Sequence, residues 1–384
     1  MQKPKNSLFI PYGRQWITNE DIQAVADALE SDYLTQGPLV PRYEKNIADY
    51  CGVRFAVAFS SGTAALHAAC FAAGITKGDE VITSPMTFTA SANCVLYSGG
   101  TPIFADIRSD LPIINSKEIE KKITRKTRAI IPVDYSGLPA DYDEINALAK
   151  EHNLLVIGDA AHSLGATYKG RNVGKLADMT VFSFHPVKLI TTGEGGMVVT
   201  DNPEFFERLI LFQTHGITKD KTKYINKSDG GWYHEMQILG YNYRLTEIQA
   251  ALGLSQFKRI TSFLKRRTEI AEQYIKAFRD MSEISSIEVP TDRKSVWHIF
   301  PILLENKSKR KQLYDRLRRQ NIFTQVHYIP IHLHPFYKAN YGYRIGNFPN
   351  AENYYNAELS MPIFPKLTNS EQNFVLRKLT ECLD

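Results

Sequence analysis

The chain predicts an α/β fold, with a mostly parallel central sheet followed by a smaller α+β C-terminal domain. A series of short apolar runs between Phe55 and Thr200 has strand length, and helical patterns separate several of them into βαβ units. Two runs close directly on residues with chemical use: Phe55–Phe59 on Ser60–Ser61–Gly62–Thr63, and Leu154–Gly158 on Asp159. From Thr246 the pattern changes to a long amphipathic stretch that bridges to fewer strands. At 384 residues, 43% of them hydrophobic, the chain can fill two domains, expected at 1–250 and 251–384.

Ile17 to Ser31 reads as an amphipathic helix opened by a Thr18…Asp21 cap, and Asp32–Gly37 as a loop with no core periodicity. Pro41 is expected to start a second helix running to about Tyr50. After the strand Phe55–Phe59 comes the Ala-rich helix former Ala64–Ala73. Val81–Ser84 leads into Pro85–Ala90 and another helix. Thr101–Asp106, Ala129–Val133, Leu154–Asp159, Met179–Phe184 and Met197–Thr200 continue the strand series. Gly193–Gly196 precedes a strand, whereas a dinucleotide-binding glycine turn opens a helix, so that reading fails. Ile248, Leu252, Phe257, Ile260 and Leu264 predict one long helix from Thr246 to about Met281. Strands near Trp297–Leu304 and Ile322–Ile329 flank a basic helix, Lys309–Gln320, and Asn369–Leu383 closes the chain.

The stretch Val181–Thr200, VFSFHPVKLITTGEGGMVVT, frames a single lysine. Pro186 suppresses helix around Lys188, which places it on a constrained loop. Most lysines are solvated; Asp159 sets this one apart. In an open α/β sheet, ligands bind at the carboxyl ends of strands, where Asp159 stands. A free lysine near pKa ~10.4 is almost wholly protonated at neutral pH and a poor nucleophile. Desolvation frees its lone pair for condensation with an aldehyde. A pyridoxal phosphate ring acts as electron sink only while its nitrogen stays protonated, which needs a buried carboxylate. That pairing is worth roughly 4 kcal/mol at ~4 Å and an effective dielectric of ~20. Gly62 and Thr63, at a strand-to-helix turn, make an anion site by themselves no more specific than an ordinary cap. Together with Asp159 and Lys188 they favour a phosphate. Phe88, just past a strand end, can stack on a planar ring.

Net charge is +5 and pI about 8.8, mildly basic. Lys258–Arg259 and Lys265–Arg266–Arg267 read as a solvated helix face rather than a nucleic-acid stripe. Cys51, Cys70, Cys94 and Cys382 follow no metal-ligand spacing and read as reduced thiols of a cytoplasmic protein. The N-terminus has no apolar run long enough for a leader or membrane helix. His327, His332 and His334, without nearby carboxylates or cysteines, read as a polar loop at a site mouth and not as a metal site.

The segments LTQGPLVPRYE, FSSGTAALHAA, DAAHSLGA, FSFHPVKLITTGEGG and GYNYRLTEIQAALG together resemble the sugar-nucleotide aminotransferases. These form a branch of the aspartate-aminotransferase-like, pyridoxal 5'-phosphate-dependent superfamily, and the likeness runs from about Tyr12 to the C-terminus. HPVK followed by ITTGEGG, with VHYIPIHLHPFY, is similar to the branch that serves pseudaminic acid synthesis. The resemblance implies Lys188 as covalent anchor and proton shuttle, and Asp159 as partner of the ring nitrogen. It puts His162 near the ring oxygen, Gly62, Thr63 and Ser183 on the phosphate, and Phe88 on the ring face. Asn242 would reach the phosphate of a neighbouring subunit, which implies a homodimer with shared sites. Tyr12, the loop Asp32, Tyr33, Leu34 and Thr35, and the segment Gln325, Val326, His327 and Tyr328 would face a nucleotide sugar. The implied reaction moves an amino group from L-glutamate to C4 of a UDP-4-keto-6-deoxy-N-acetylhexosamine. Alternatives are another nucleotide ketosugar (a 4-keto-arabinose or a dTDP-sugar) and a non-catalytic scaffold on the same fold. The related dehydratases carry histidine in place of the lysine.

Overall fold

Seven strands make the central sheet: β1 (Phe55–Phe59), β2 (Glu80–Thr83), β3 (Thr101–Phe104), β4 (Thr127–Ile131), β5 (Leu155–Asp159), β6 (Met179–Ser183) and β7 (Gly196–Thr200). The computed structural model describes residues 9–383; the N-terminal stretch 1–8, read for a leader, and Asp384 lie outside the described residues. The spatial order is β1-β7-β6-β5-β4-β2-β3. β7 runs antiparallel to both its neighbours and every other pair is parallel. Helices cover both faces and bury the strands, so the runs are continuously apolar rather than alternating. The parallel strands all deliver their chain to one edge of the sheet, where Asp159, Ser183 and the turns after β1 and β2 meet.

The C-terminal part has its own antiparallel sheet, Ile284–Ser286, Phe300–Leu304 and Glu358–Met361, with the middle strand central. Helices Ile260–Phe278 and Asn369–Leu383 pack against it around Tyr274, Phe300 and Leu379. Ile10 belongs to this core, because Ile10–Pro11 pairs in parallel with Ile322–Phe323. Ile10 and Pro11 thus join the C-terminal part although they precede the central sheet in sequence.

Several expectations shift. The second helix spans Leu39–Cys51, two residues before Pro41, which sits in its first turn, where a missing N–H costs little. The free amides of Leu39 and Val40 donate to the Glu247 carboxylate at 2.7 and 3.2 Å, a distant partner the local pattern could not show. The stretch after Thr246 is two helices, Glu247–Phe257 and Ile260–Phe278, broken at Lys258–Arg259. Arg259 pairs with the buried Asp21, which also accepts from Ser255 and Gln256 at 2.7 Å each. A boundary at 250 therefore falls inside a helix fastened to Asn19–Leu29. The strand expected over Ile322–Ile329 is only Ile322–Phe323. Arg267 does not belong to a solvated face. It is fully buried, its Nη1 donating to the carbonyls of Trp297, His298 and Ile363.

Candidate active site

A cavity of about 550 Å³ opens at the carboxyl edge of the sheet. Its lining includes Asp159, His162, Gly62, Thr63, Phe88, Ser183, Lys188, Tyr12, His327 and Tyr328. The turn of Lys188 is closed by its own amide donating to the His185 carbonyl at 2.9 Å. Burial pulls the Lys188 amine down to about 8, against the opposing pull of the Asp159 charge. It has no ion pair within 4.0 Å among the described residues. A lysine in this state has its lone pair closer to hand near neutral pH than a solvated one does.

Asp159, at the last position of β5, is 5% exposed. Burial raises its pKa, while hydrogen bonds from Ser91 and from the Ala161 amide, and then the Lys188 charge, lower it. Ser91 Oγ–H donates to Asp159 Oδ2 at 2.6 Å, and the Ala161 amide to Oδ1 at 3.2 Å. A protonated ring nitrogen would supply the cation this carboxylate lacks. His162 lines the same cavity; its Nε2 meets Tyr328 Oη at 3.1 Å, and its Nδ1 is buried with no hydrogen-bond partner among the described residues.

At the other end, β1 turns into the helix Gly62–Ala72, with Ser61 as N-cap accepting from the Ala64 amide. The amides of Gly62 and Thr63 have no intrahelical acceptor, so they and the helix dipole form an anion cradle. A side chain at Gly62 would come within 2.9 Å of Ser183 Cβ, and one at Gly196 within 2.4 Å of the Ser61 carbonyl oxygen. These glycines let three strand ends close on one point. Carboxylate, amine, orphaned imidazole and anion cradle together fit a flat, phosphorylated pyridine aldehyde.

Residues 15–380 match the DegT/DnrJ/EryC1/StrS aminotransferase family. The chain belongs to that family. Among its relatives, the spore coat polysaccharide biosynthesis protein SpsC of Bacillus subtilis is 40% identical over 98% of both chains. A UDP-4-amino-4,6-dideoxy-N-acetyl-beta-L-altrosamine transaminase of Campylobacter jejuni is 39% identical, again over 98% of both. The solved structure of Helicobacter pylori PseC, described as an aminotransferase of pseudoaminic acid biosynthesis, superposes with a TM-score of 0.91 at 33% identity, covering 98% of this chain and 99% of that one. Spr1654 of Streptococcus pneumoniae, solved in its PLP-form, gives a TM-score of 0.91 at 31% identity, covering 98% of each chain.

Of the residues expected to face the nucleotide sugar, Tyr12, His327 and Tyr328 line the cavity. Asp32, Tyr33, Leu34 and Thr35 are exposed beside the helix Glu247–Phe257, with the Leu34 carbonyl accepting from the Glu247 amide, and they do not line the cavity. In the segment from 325, Gln325 is exposed, Val326 packs on the C-terminal core, and His327 and Tyr328 both line the cavity. Asn242 is exposed and bridges by backbone to Thr214, outside this cavity. The three histidines do not converge. His332 is buried against Glu352 at 2.9 Å, a carboxylate 20 positions away in sequence, while His334 precedes the helix Pro335–Tyr341. No cluster of three or more metal-ligating side chains occurs among the described residues.

Sequence reasoning missed Ser91. Ser91 lies in the first turn of the helix Ala90–Tyr97, and Thr87, in the turn before that helix, bonds it at 2.8 Å; nothing in the local sequence pattern points to Asp159, 68 positions away.

Proposed function

We propose that this chain is a pyridoxal 5'-phosphate-dependent aminotransferase that moves the amino group of L-glutamate to C4 of UDP-2-acetamido-2,6-dideoxy-β-L-arabino-hex-4-ulose. The product is a precursor in pseudaminic acid biosynthesis. The observation that carries this reading is the buried amine of Lys188 and the buried carboxylate of Asp159 lining one cavity with a phosphate cradle.

When bound, the cofactor supplies an electron sink for proton removal at carbon. Lys188 Nζ anchors it and, released, takes a proton from one carbon and returns it to another; a pKa lowered to about 8 suits that base near neutral pH. Asp159 holds the ring-nitrogen proton, and Ser91 orients that carboxylate. Gly62, Thr63 and Ser183 hold the phosphate, His162 faces the ring oxygen, and Phe88 covers the ring. Tyr12, His327 and Tyr328 face the sugar.

The enzyme works as a homodimer in the cytoplasm. Asn242 completes the phosphate site of the partner, and Asp32–Thr35, Gln325 and Val326 meet the nucleotide once two chains associate. The exposed apolar side chains Ile225 (84%), Trp232 (75%), Met236 and Leu239 between Ile217 and Asn242 support this, since a monomer rarely leaves such a run uncovered.

A second reading, another nucleotide 4-ketosugar in place of the UDP substrate, is kept because SpsC, whose name places it in spore coat polysaccharide biosynthesis, is as similar to this chain (40%) as the altrosamine transaminase (39%). Purified protein, glutamate and a panel of UDP-, dTDP- and GDP-4-ketosugars decide between them, with product configuration read by NMR. Amination of a dTDP- or GDP-sugar in preference to the UDP substrate overturns the first reading. A bound cofactor whose visible band is unchanged by glutamate overturns aminotransferase chemistry altogether.

A further inference from the structure

His327 lines the cavity, and its ring is wired to a carboxylate that no catalytic step uses. Glu358 opens the strand Glu358–Met361, and Ser360, two residues on, leaves the same face. Both are fully buried. The His327 amide donates to Glu358 Oε2 at 2.8 Å, Ser360 Oγ–H donates to Glu358 Oε1 at 2.5 Å, and His327 Nδ1 meets Ser360 Oγ at 2.8 Å. The backbone of Ser360 pairs with Gln325 on both sides, at 3.2 and 2.7 Å, so the register of the three groups is fixed. Nε2 of His327 has no hydrogen bond among the described residues and belongs to the cavity side.

A serine has one proton to give. While Glu358 is ionised, Ser360 must give that proton to it. Ser360 Oγ then accepts from His327 Nδ1–H, and Nε2 is left as a bare acceptor. When Glu358 holds a proton, the carboxyl donates to Ser360 Oγ, the hydroxyl turns to Nδ1, and the ring carries its hydrogen on Nε2. We propose that Glu358 and Ser360 are positioning residues which set, through one proton on Glu358, whether His327 presents a hydrogen-bond donor or an acceptor to the substrate.

The surroundings keep the ring out of this titration. Burial and then the Lys188 charge push His327 down to about 3, so it is neutral and only its tautomer changes. His162 and His298, the other rings electrostatically coupled to it, are themselves held neutral by burial. Tyr12, 5.1 Å away centroid to centroid, is pushed up by burial. Around Glu358, burial raises the carboxyl to about 8, against the Ser360 and His327 hydrogen bonds and the Arg310 charge. Tyr135, Tyr328 and Tyr354 also face it, all held protonated by burial. The change of tautomer therefore falls in mildly alkaline solution. A donor suits a phosphate or keto oxygen; an acceptor suits a hydroxyl or amide N–H and opposes an anion.

The test is nitrogen NMR on holoenzyme labelled with ¹⁵N-histidine, with His327 assigned by the loss of its signals in His327→Gln. Between about pH 6 and 9.5, a range that brackets an ordinary shifted carboxyl, the hydrogen should move from Nε2 to Nδ1. Glu358→Gln should lock it on Nε2, because the amide oxygen must accept from the His327 amide and its NH₂ must donate to Ser360. Ser360→Ala should uncouple the tautomer from pH, which keeps the test valid if the glutamine variant does not fold. A tautomer in the parent that does not change with pH, or one that titrates alike in Glu358→Gln, overturns the relay. The substrate part rests on the nucleotide-sugar reading, and UDP titrated into the same proteins separates the two. Its affinity should fall roughly tenfold over that range in the parent, as for a lost donor to a charged group, and stay level in Glu358→Gln. No UDP binding at any pH, with the tautomer still following Glu358, defeats that reading and leaves the relay. UDP binding with one pH profile in both proteins defeats the relay and leaves the reading.

Discussion

The floor and the rim of the cavity are built in different ways. The floor comes from strand ends of one rigid sheet: Asp159 ends β5, Ser183 ends β6, and Gly62 follows β1. Each position is reached by a short turn, and each polar group has a defined neighbour or a defined vacancy in its bonding, as with His162 Nδ1. The rim proposed above draws on loops far apart in sequence, and some of the residues assigned to it, Asp32–Thr35 and Asn242, do not line the cavity. The difference separates chemistry from selection. A site whose reacting groups must hold within fractions of an ångström belongs on strand ends, while substrate choice can vary on loops without disturbing them.

If the floor carries the chemistry, changes there must cost most. Lys188→Ala should keep the fold and abolish multiple-turnover transamination, checked by product formation without added amine; near-native turnover sinks the assignment. Asp159→Asn should lose roughly 10³-fold in kcat, the equivalent of ~4 kcal/mol at 1.4 kcal/mol per decade. Asp159→Glu should retain part of the rate, and an Asn variant equal to the parent would make the carboxylate structural.

The rim should cost less and act on selection. The 4-keto-D-xylo isomer of the substrate should show kcat/KM at least about tenfold below the L-arabino isomer, a bound between apolar and hydrogen-bonded discrimination. His327→Ala should raise KM for the sugar far more than for glutamate. Equal kcat/KM for both isomers removes the pseudaminic assignment and leaves the floor standing. For a site completed in trans, mixing inactive Lys188→Ala with inactive Asn242→Ala should restore roughly a quarter of the sites, since half of randomly exchanged dimers are mixed and carry one intact site each. No recovery after demonstrated subunit exchange makes the rim a property of one chain.

The same contrast explains what could be read in advance. β1, β5 and β6, with Asp159 at the end of β5, were legible because buried parallel strands are continuous apolar runs closed by a polar residue; Lys188 was singled out by Pro186 and the glycine turn, and Ser183 only by the family resemblance. The helix break at Arg259 was not, since it depends on Asp21, 238 residues away. Arg267 was misread by charge, although its register with Phe263, Ile270 and Tyr274 puts it on the buried stripe of its helix. Gln325 and Val326 were taken with His327 as one patch, yet Gln325 is exposed and Val326 packs on the C-terminal core, and of this segment His327 and Tyr328 line the cavity. Ser360 and Glu358 carry no signal in sequence at all, because only the pairing of Ser360 with Gln325 brings them under His327.

The smallest effect expected is on stability, and it tests whether the floor was shaped for chemistry at the fold's expense. An amine lowered from 10.5 to about 8 binds its proton less tightly in the folded chain than in the unfolded one. The unfolded chain then holds more protons between those two values, so this group's penalty is fully present below about pH 8 and is relieved as pH rises toward 10.5. The shift corresponds to about 3 kcal/mol at 1.36 kcal/mol per unit, an upper figure for a residue that is half-buried although its amine is enclosed. Lys188→Met keeps the length and removes the charge. In the cofactor-free protein at pH 7 it should melt about 2–5 °C above the parent, and the gap should close as the solution is taken toward pH 10. Bound cofactor stabilises the parent by mass action and should reverse the order. A methionine variant that melts below the cofactor-free parent at pH 7 would mean that the Lys188 amine is held by the fold as a structural cation, and the contrast between floor and rim would lose its energetic half.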